Sequence, residues 1–364
     1  MKSFKELTQE FSLIELLQEV QSRTSTEAIS VNQQQQMTQI MIHILQAYAK
    51  VVERPLPGQD IHEIRGQAHV KRALEVSAAG HHNILLVGPS GAGKTLLART
   101  FPSLLPTTSL SYPFREPPAS IERETFLGDT TSSGELTLAH GGVLFLKNLD
   151  MFDLSLLTSL AQTVETGVVC FPRPVGRVVL PAKFVLVATV KPCPCGFFGV
   201  PGGTCVCSTE EIVRYRQPLK EIVRTCFAIE IEVSLLVPEI FSIYPEESSA
   251  DIRQRVEAAR AIQQKRYAGI QPLQVNADLR SVDEIQYYCQ IDSVGEQLLR
   301  TALQQLNLTP LQMLRLQGVA RTIADLAGSP TITGRHLAEA IQYLSRFVRL
   351  PKTERESPCD SSRG

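Results

Sequence analysis

A chain of 364 residues with 43% hydrophobic side chains is long enough for about two domains and apolar enough to bury a sizeable core. Its 36 basic and 37 acidic residues leave a formal charge of −1, which excludes a disordered polyelectrolyte and any global charge excess that would demand nucleic acid. No apolar run reaches the roughly eighteen residues of a membrane span, and no signal peptide precedes the eight cysteines, so a soluble cytoplasmic protein is expected.

The predicted elements begin with a helical segment over residues 1–53. Phe11, Ile14, Leu17 and Val20, then Met41, Ile44, Leu45 and Tyr48, recur there at helical spacing, with the glutamine run 33–36 on the polar face. Pro55, Pro57 and Gly58 mark residues 54–60 as a linker. From 61 to 244 short apolar runs alternate with helical stretches, the pattern of an α/β fold with a parallel sheet. Ile84–Val87, Val143–Leu146 and Phe184–Ala188 read as buried strands, and Thr95–Phe101 opens a helix. Val168–Cys170 and Arg177–Leu180 form a hairpin, and Ala228–Val233 alternates as a further strand.

Over 245–350 helices take over. One stripe is Ile252, Val256, Ala259 and Ile262; another is Leu298, Leu299, Leu303 and Leu306. A third helix covers Leu316–Leu326, and Thr333 caps a last one bearing Leu337, Ala340, Ile341 and Leu344. The polar end, 351–364, is expected to be disordered.

The strongest motif is Gly88-Pro89-Ser90-Gly91-Ala92-Gly93-Lys94-Thr95, which fits G-x-x-x-x-G-K-[ST] between a strand and a helix. Glycines let successive backbone N–H groups face a polyphosphate, Lys94 would pair the β- and γ-phosphates, and the Thr95 hydroxyl would ligate Mg²⁺. The expected ligand is ATP or ADP.

Gly66–Gly80, Gly134–Leu146, Pro192–Gly196 and Val319–Leu326 resemble the magnesium-chelatase-like AAA+ ATPases over about residues 60–350, in the competence-helicase branch. The resemblance implies a P-loop α/β domain with a helical lid. It also implies homo- or hetero-oligomeric rings, usually hexamers, with ATP between subunits. Intact members act as motors that remodel DNA, as branch-migration-type helicases do, or serve metal chelation. Members of the branch usually carry an N-terminal protease-like domain, and none is expected here.

Against the family pattern, five roles are substituted. Lys147-Asn148 stand where an Asp-Glu pair holds Mg²⁺ and activates water, and Lys191 stands at the sensor asparagine. Thr225-Cys226 replace the arginine-finger pair, with Arg224 on the other face of the segment if it is strand, and Leu311 replaces the lid arginine. An intact P-loop beside these losses predicts a nucleotide-holding pseudo-ATPase or regulatory ring subunit. The alternative is that Glu135 or Asp150 serves as base and Arg224 as finger, leaving an active motor. Lys147 and Lys191 either neutralise phosphate charge, making Mg²⁺ partly dispensable, or point to solvent.

Cys193, Cys195, Cys205 and Cys207 form two C-x-C pairs nine residues apart, across a loop rich in glycine. Four thiolates at that spacing suit a tetrahedral Zn²⁺ site; the alternative is four reduced thiols. His81 and His82 read as loop residues, and His140 as packing beside a strand. Arg173, Arg177 and Lys183 on the hairpin either line a ring pore facing DNA phosphates, a partner suggested by family analogy alone, or are solvated. Arg253, Arg255, Arg260, Lys265 and Arg266 read as a solvated helix face.

Overall fold

The computed structural model describes residues 60–107, 112–128, 133–172, 177–200, 203–235, 246–270, 273–306, 308–344 and 347. The expected N-terminal helical segment, the linker up to residue 59, the C-terminal tail and Arg173 lie outside the described residues.

Helix α1 (Ala68–Gly80) leads into β1 (Ile84–Val87) and α2 (Lys94–Thr100). Strand β2 (Phe114–Arg115), short helices α3 (Arg123–Leu127) and α4 (Glu135–Leu138), β3 (Val143–Leu146) and α5 (Leu154–Thr166) follow. The hairpin β4 (Val168–Pro172) and β5 (Arg177–Pro181) precedes β6 (Val185–Val190), α6 (Thr209–Arg216), α7 (Lys220–Cys226) and β7 (Ile229–Glu232). The chain then becomes helical: α8 (Ser249–Arg266), α9 (Val282–Tyr288), α10 (Ser293–Leu306), α11 (Pro310–Leu326) and α12 (Gly334–Gln342).

Strands order as β2-β3-β6-β1-β7 in one sheet, every pair parallel, while β4 and β5 pair antiparallel apart from it. Side chains alternate across such a sheet, and both faces are covered, so its inner strands are apolar apart from Thr189 on β6. Ile84 and Leu86 therefore join Val143, Phe145, Val185 and Val187 in a core shared with α1, α8 and α11. Leu85 and Val87 join Leu144, Leu146, Leu186 and Ala188 in a second core under α5 and α7. This is the P-loop α/β core with a helical C-terminal domain that the sequence implies. No helix among the described residues is long and apolar enough to cross a membrane.

Several local expectations shift. The strand expected at Phe184–Ala188 runs from Val185 to Val190. The third C-terminal helix starts at Pro310 rather than near Leu316, because Thr309 Oγ1 accepts from the Gln312 amide and Gln312 Oε1 accepts from the Thr309 amide. On α8 the buried stripe ends at Gln263, not Ile262. Gln263 Nε2 donates to the Ala79 carbonyl at 3.0 Å, and its Oε1 accepts from the Asn276 amide at 3.0 Å. Ile262 faces out.

The basic residues of α8 are not a solvated face. Arg253 donates to the Ser103 carbonyl, Arg255 pairs with Glu75 and Glu247, and Arg260 donates to the Ala78 carbonyl. Arg266 binds Asp325 with both terminal nitrogens, while Arg321 Nε donates to the same carboxylate at 3.1 Å. Only Lys265 is exposed. His82 is the loop residue expected, between α1 and β1, but it is buried. Thr322 Oγ1 donates to the Gly318 carbonyl and accepts from Asn276 Nδ2, so His82 Nε2–H donates to it at 2.7 Å. Burial, reinforced by the charges of Arg260 and Arg315, pushes the His82 pKa down to about 3 and keeps the ring neutral. His140 does what its position beside a strand predicts: Nδ1 accepts the Lys183 amide.

Candidate nucleotide site and cysteine centre

In a parallel sheet of this kind the loops leaving the strands' carboxyl ends gather at one edge. Here the loop after β1 is the P-loop, the loop after β6 begins at Lys191, and the loop after β3 holds residues 147–151. Gly91 and Gly93 adopt φ of +84° and +85°, and a Cβ on either would meet nothing within 4 Å, so the loop is an open cradle. Gly88 is needed for another reason: a Cβ there would sit 2.2 Å from the Val233 carbonyl oxygen beyond β7. Lys94 Nζ, largely buried, donates to the Gly88 and Pro89 carbonyls at 2.6 and 2.7 Å. Burial lowers its pKa to about 8; the Asp150 carboxylate opposes that shift and the Lys191 ammonium reinforces it. Thr95, half-buried, stands in the first turn of α2.

The residues expected at the family's catalytic positions divide by place. Lys191 is half-buried at the cradle: Cβ positions built on Gly196 would lie 3.7 Å from both Lys191 Cδ and Pro89 Cα. Lys147 is exposed. Asn148 takes φ +57°, and its amide donates to Thr189 Oγ1 on β6 at 2.9 Å. Cys226 and Leu311 are elsewhere. They line a cleft with His82, Asn83 and Arg315 at the sheet's amino-terminal edge, opposite the P-loop. Residues 224–226 belong to helix α7, not to a strand, and Cys226 is buried with its carbonyl accepting from Asn83 Nδ2. Arg224 pairs with Glu221 at 3.3 Å. Arg315 caps the end of α7 by donating to the Arg224, Thr225 and Phe227 carbonyls. Glu135 is held by Arg115 through two bonds of 2.6 and 2.7 Å.

The cysteine loop leaves β6 through Lys191 and ends where Ser208 caps α6, with Glu211 completing a capping box. All four thiol sulfurs lie within 4.8 Å of one another. Cys205 Sγ is 3.8 Å from Cys193 Sγ and 3.7 Å from Cys195 Sγ, and Cys193 and Cys195 are 3.3 Å apart. A tetrahedron with Zn–S bonds of about 2.3 Å has sulfurs about 3.8 Å apart, so the set fits that ion. The Gly196 and Phe198 amides donate to Cys193 Sγ at 3.2 and 3.3 Å, as they would to a thiolate. Amides of Phe197 and Val206 hold the Cys195 thiol down to about 6. The scattered Cys170 and Cys289 take no part in this cluster.

Two residues without a sequence signal complete the surroundings. Arg216 is sandwiched between the rings of Phe198 and Phe347, 5.0 Å from each centroid, and its Nε donates to the Pro192 carbonyl. Tyr215 donates to the Lys191 carbonyl at 3.2 Å and stands beside Asp150. Both sit on α6, whose polar sequence gives no hint that this turn faces the cradle.

The chain belongs to the magnesium-chelatase-like family. Residues 60–112 and 107–240 match the family described as Magnesium chelatase, subunit ChlI, and residues 246–344 match Magnesium chelatase, subunit ChlI C-terminal. The uncharacterized protein YifB of Escherichia coli (strain K12) is 36% identical over 327 residues, spanning 80% of this chain and 63% of YifB. Competence protein ComM of Haemophilus influenzae is 37% identical over 319 residues, spanning 80% of this chain and 61% of ComM. The chain thus spans less than two thirds of the length of these relatives.

Proposed function

We propose that the chain is a nucleotide-holding subunit of a magnesium-chelatase-like ring, binding ATP or ADP on Gly88–Thr95 with weak or no hydrolysis. One observation carries this reading. The P-loop has open glycines and an inward lysine, whereas the β3 loop presents exposed Lys147 and an Asn148 turned by its left-handed backbone where the family has its acids. Lys191 at the cradle supplies charge that Mg²⁺ otherwise supplies, so the metal is only partly required. The location of Cys226 and Leu311 at the opposite edge of the sheet suits a ring in which that edge meets a neighbour's nucleotide.

Phosphate release by the purified chain tests the reading. Turnover is expected to stay far below ordinary AAA+ rates, because loss of a base or finger alone costs several orders of magnitude. Brisk turnover abolished by Lys94→Ala would overturn it in favour of an active motor acting on DNA or in metal chelation. The Asp150 carboxylate near Lys94 is what favours that second reading.

The four cysteines are assigned a structural zinc ion, supported by their mutual distances and amide donors. Protein from zinc-replete cells is expected to carry about one molar equivalent by elemental analysis, and the double variant Cys205→Ser, Cys207→Ser to lose it together with thermal stability. Metal-free wild-type protein from such cells rules the site out.

A further inference from the structure

The loop after β3 turns sharply at Asn148. An asparagine tolerates the left-handed conformation better than most residues, and the hydrogen bond from its backbone N–H to Thr189 Oγ1 pins the turn to β6, the strand lying between β3 and β1. The reversal leaves Lys147 exposed and brings Asp150 inward on the short turn Leu149–Met151. Asp150 Oδ1 is buried and has no hydrogen-bond partner among the described residues. The Tyr215 hydroxyl stands next to this carboxylate, and both Lys94 and Lys191 belong to the same neighbourhood. Glu135, the other carboxylate weighed as a base, is engaged by Arg115. Tyr215 is the hydrogen-bonding neighbour of this carboxylate, yet its Oδ1 is buried without a donor, a cost that a cation delivered with a ligand lowers.

We propose that Asp150 is the carboxylate that faces the phosphate end of the bound nucleotide and supports its accompanying divalent cation, a place vacated by Lys147 and Asn148 and refilled from two residues further along the chain. The inference rests on the nucleotide-binding reading above. It makes Asp150 a positioning group whose sign of effect depends on the cation. With Mg²⁺ present the carboxylate attracts the ion; without it, the same charge repels the phosphates. A residue that merely props the loop would act alike in both conditions.

The experiment is calorimetric titration of the full chain with AMP-PNP, in excess Mg²⁺ and in EDTA, for wild type and Asp150→Asn. In wild type, chelation is expected to weaken binding. In Asp150→Asn the ratio of the two dissociation constants falls towards one, and binding in EDTA becomes about three- to tenfold tighter than in wild type. Asp150→Ala, with melting temperatures recorded without nucleotide, repeats the comparison should the amide disturb folding. An unchanged ratio, or equal weakening in both conditions, overturns the role of Asp150 while leaving the nucleotide site standing. A wild-type chain that binds no AMP-PNP in either condition overturns the nucleotide reading itself, and this inference with it.

Discussion

Lys94→Ala is expected to weaken ATP binding by at least about a hundredfold, or about 3 kcal/mol, because charge-assisted bonds to phosphate are among the strongest a side chain makes. The ammonium donates to the Gly88 and Pro89 carbonyls, at the entrance of the P-loop. Its pKa, lowered to about 8 by burial, adds a pH signature. Only the protonated amine binds phosphate. Affinity should therefore be unaffected by this group well below pH 8 and fall above it, by up to about tenfold per unit, as the free protein must take up a proton to bind. Lys94→Ala should show no such fall. Isothermal titration between pH 7 and 9.5 checks both, and a wild-type affinity that stays level to pH 9.5 would show that Lys94 does not meet the phosphates.

Asp325→Ala is expected to cost about 3–5 kcal/mol of folding stability. Its carboxylate is fully buried and accepts from Arg266, from Arg321 and from Asn276 Nδ2. Arg321 is itself 1% exposed and spends its remaining donors on the Ser329 and Pro330 carbonyls. Removing the acid leaves two guanidinium groups without their counter-charge inside the helical domain. Replacing Arg321 by Met in the same chain should recover part of the loss, since one uncompensated charge disappears. Urea denaturation measures both variants, and a loss below about 1 kcal/mol for Asp325→Ala would contradict the coupling drawn here.

The P-loop was readable in the sequence because its chemistry is contiguous: eight residues in a row, with the strand and helix that hold it directly on either side. The strands were readable because burial on both faces leaves runs such as Ile84–Val87 with no polar residue. The cysteine centre was readable as a spacing, since a glycine-rich loop of nine residues lets two C-x-C pairs meet. What stayed hidden depends on partners distant in sequence. Arg266 looks like any basic residue on α8 until Asp325 arrives 59 positions later. Gln263 is polar and breaks the apolar stripe, yet it is buried because Ala79 and Asn276 satisfy its amide. Asn148 reads as a lost base; its left-handed φ, which redirects the whole loop and turns Asp150 inward, leaves no mark in the order of residues.

The strand order also governs how the chain is made. Strand β1 is an inner strand of the sheet, but its neighbours β6 and β7 follow it by about a hundred residues or more. During synthesis Ile84–Val87 therefore leaves the ribosome long before any partner exists, and at about 5–20 residues per second it waits several seconds for β6. Loop closure over such separations makes the pairing slow as well as late. The P-loop at the end of β1 is thus translated well before the strands that flank β1, and during that interval an apolar, unpaired strand stands open to chaperones or to a second nascent chain.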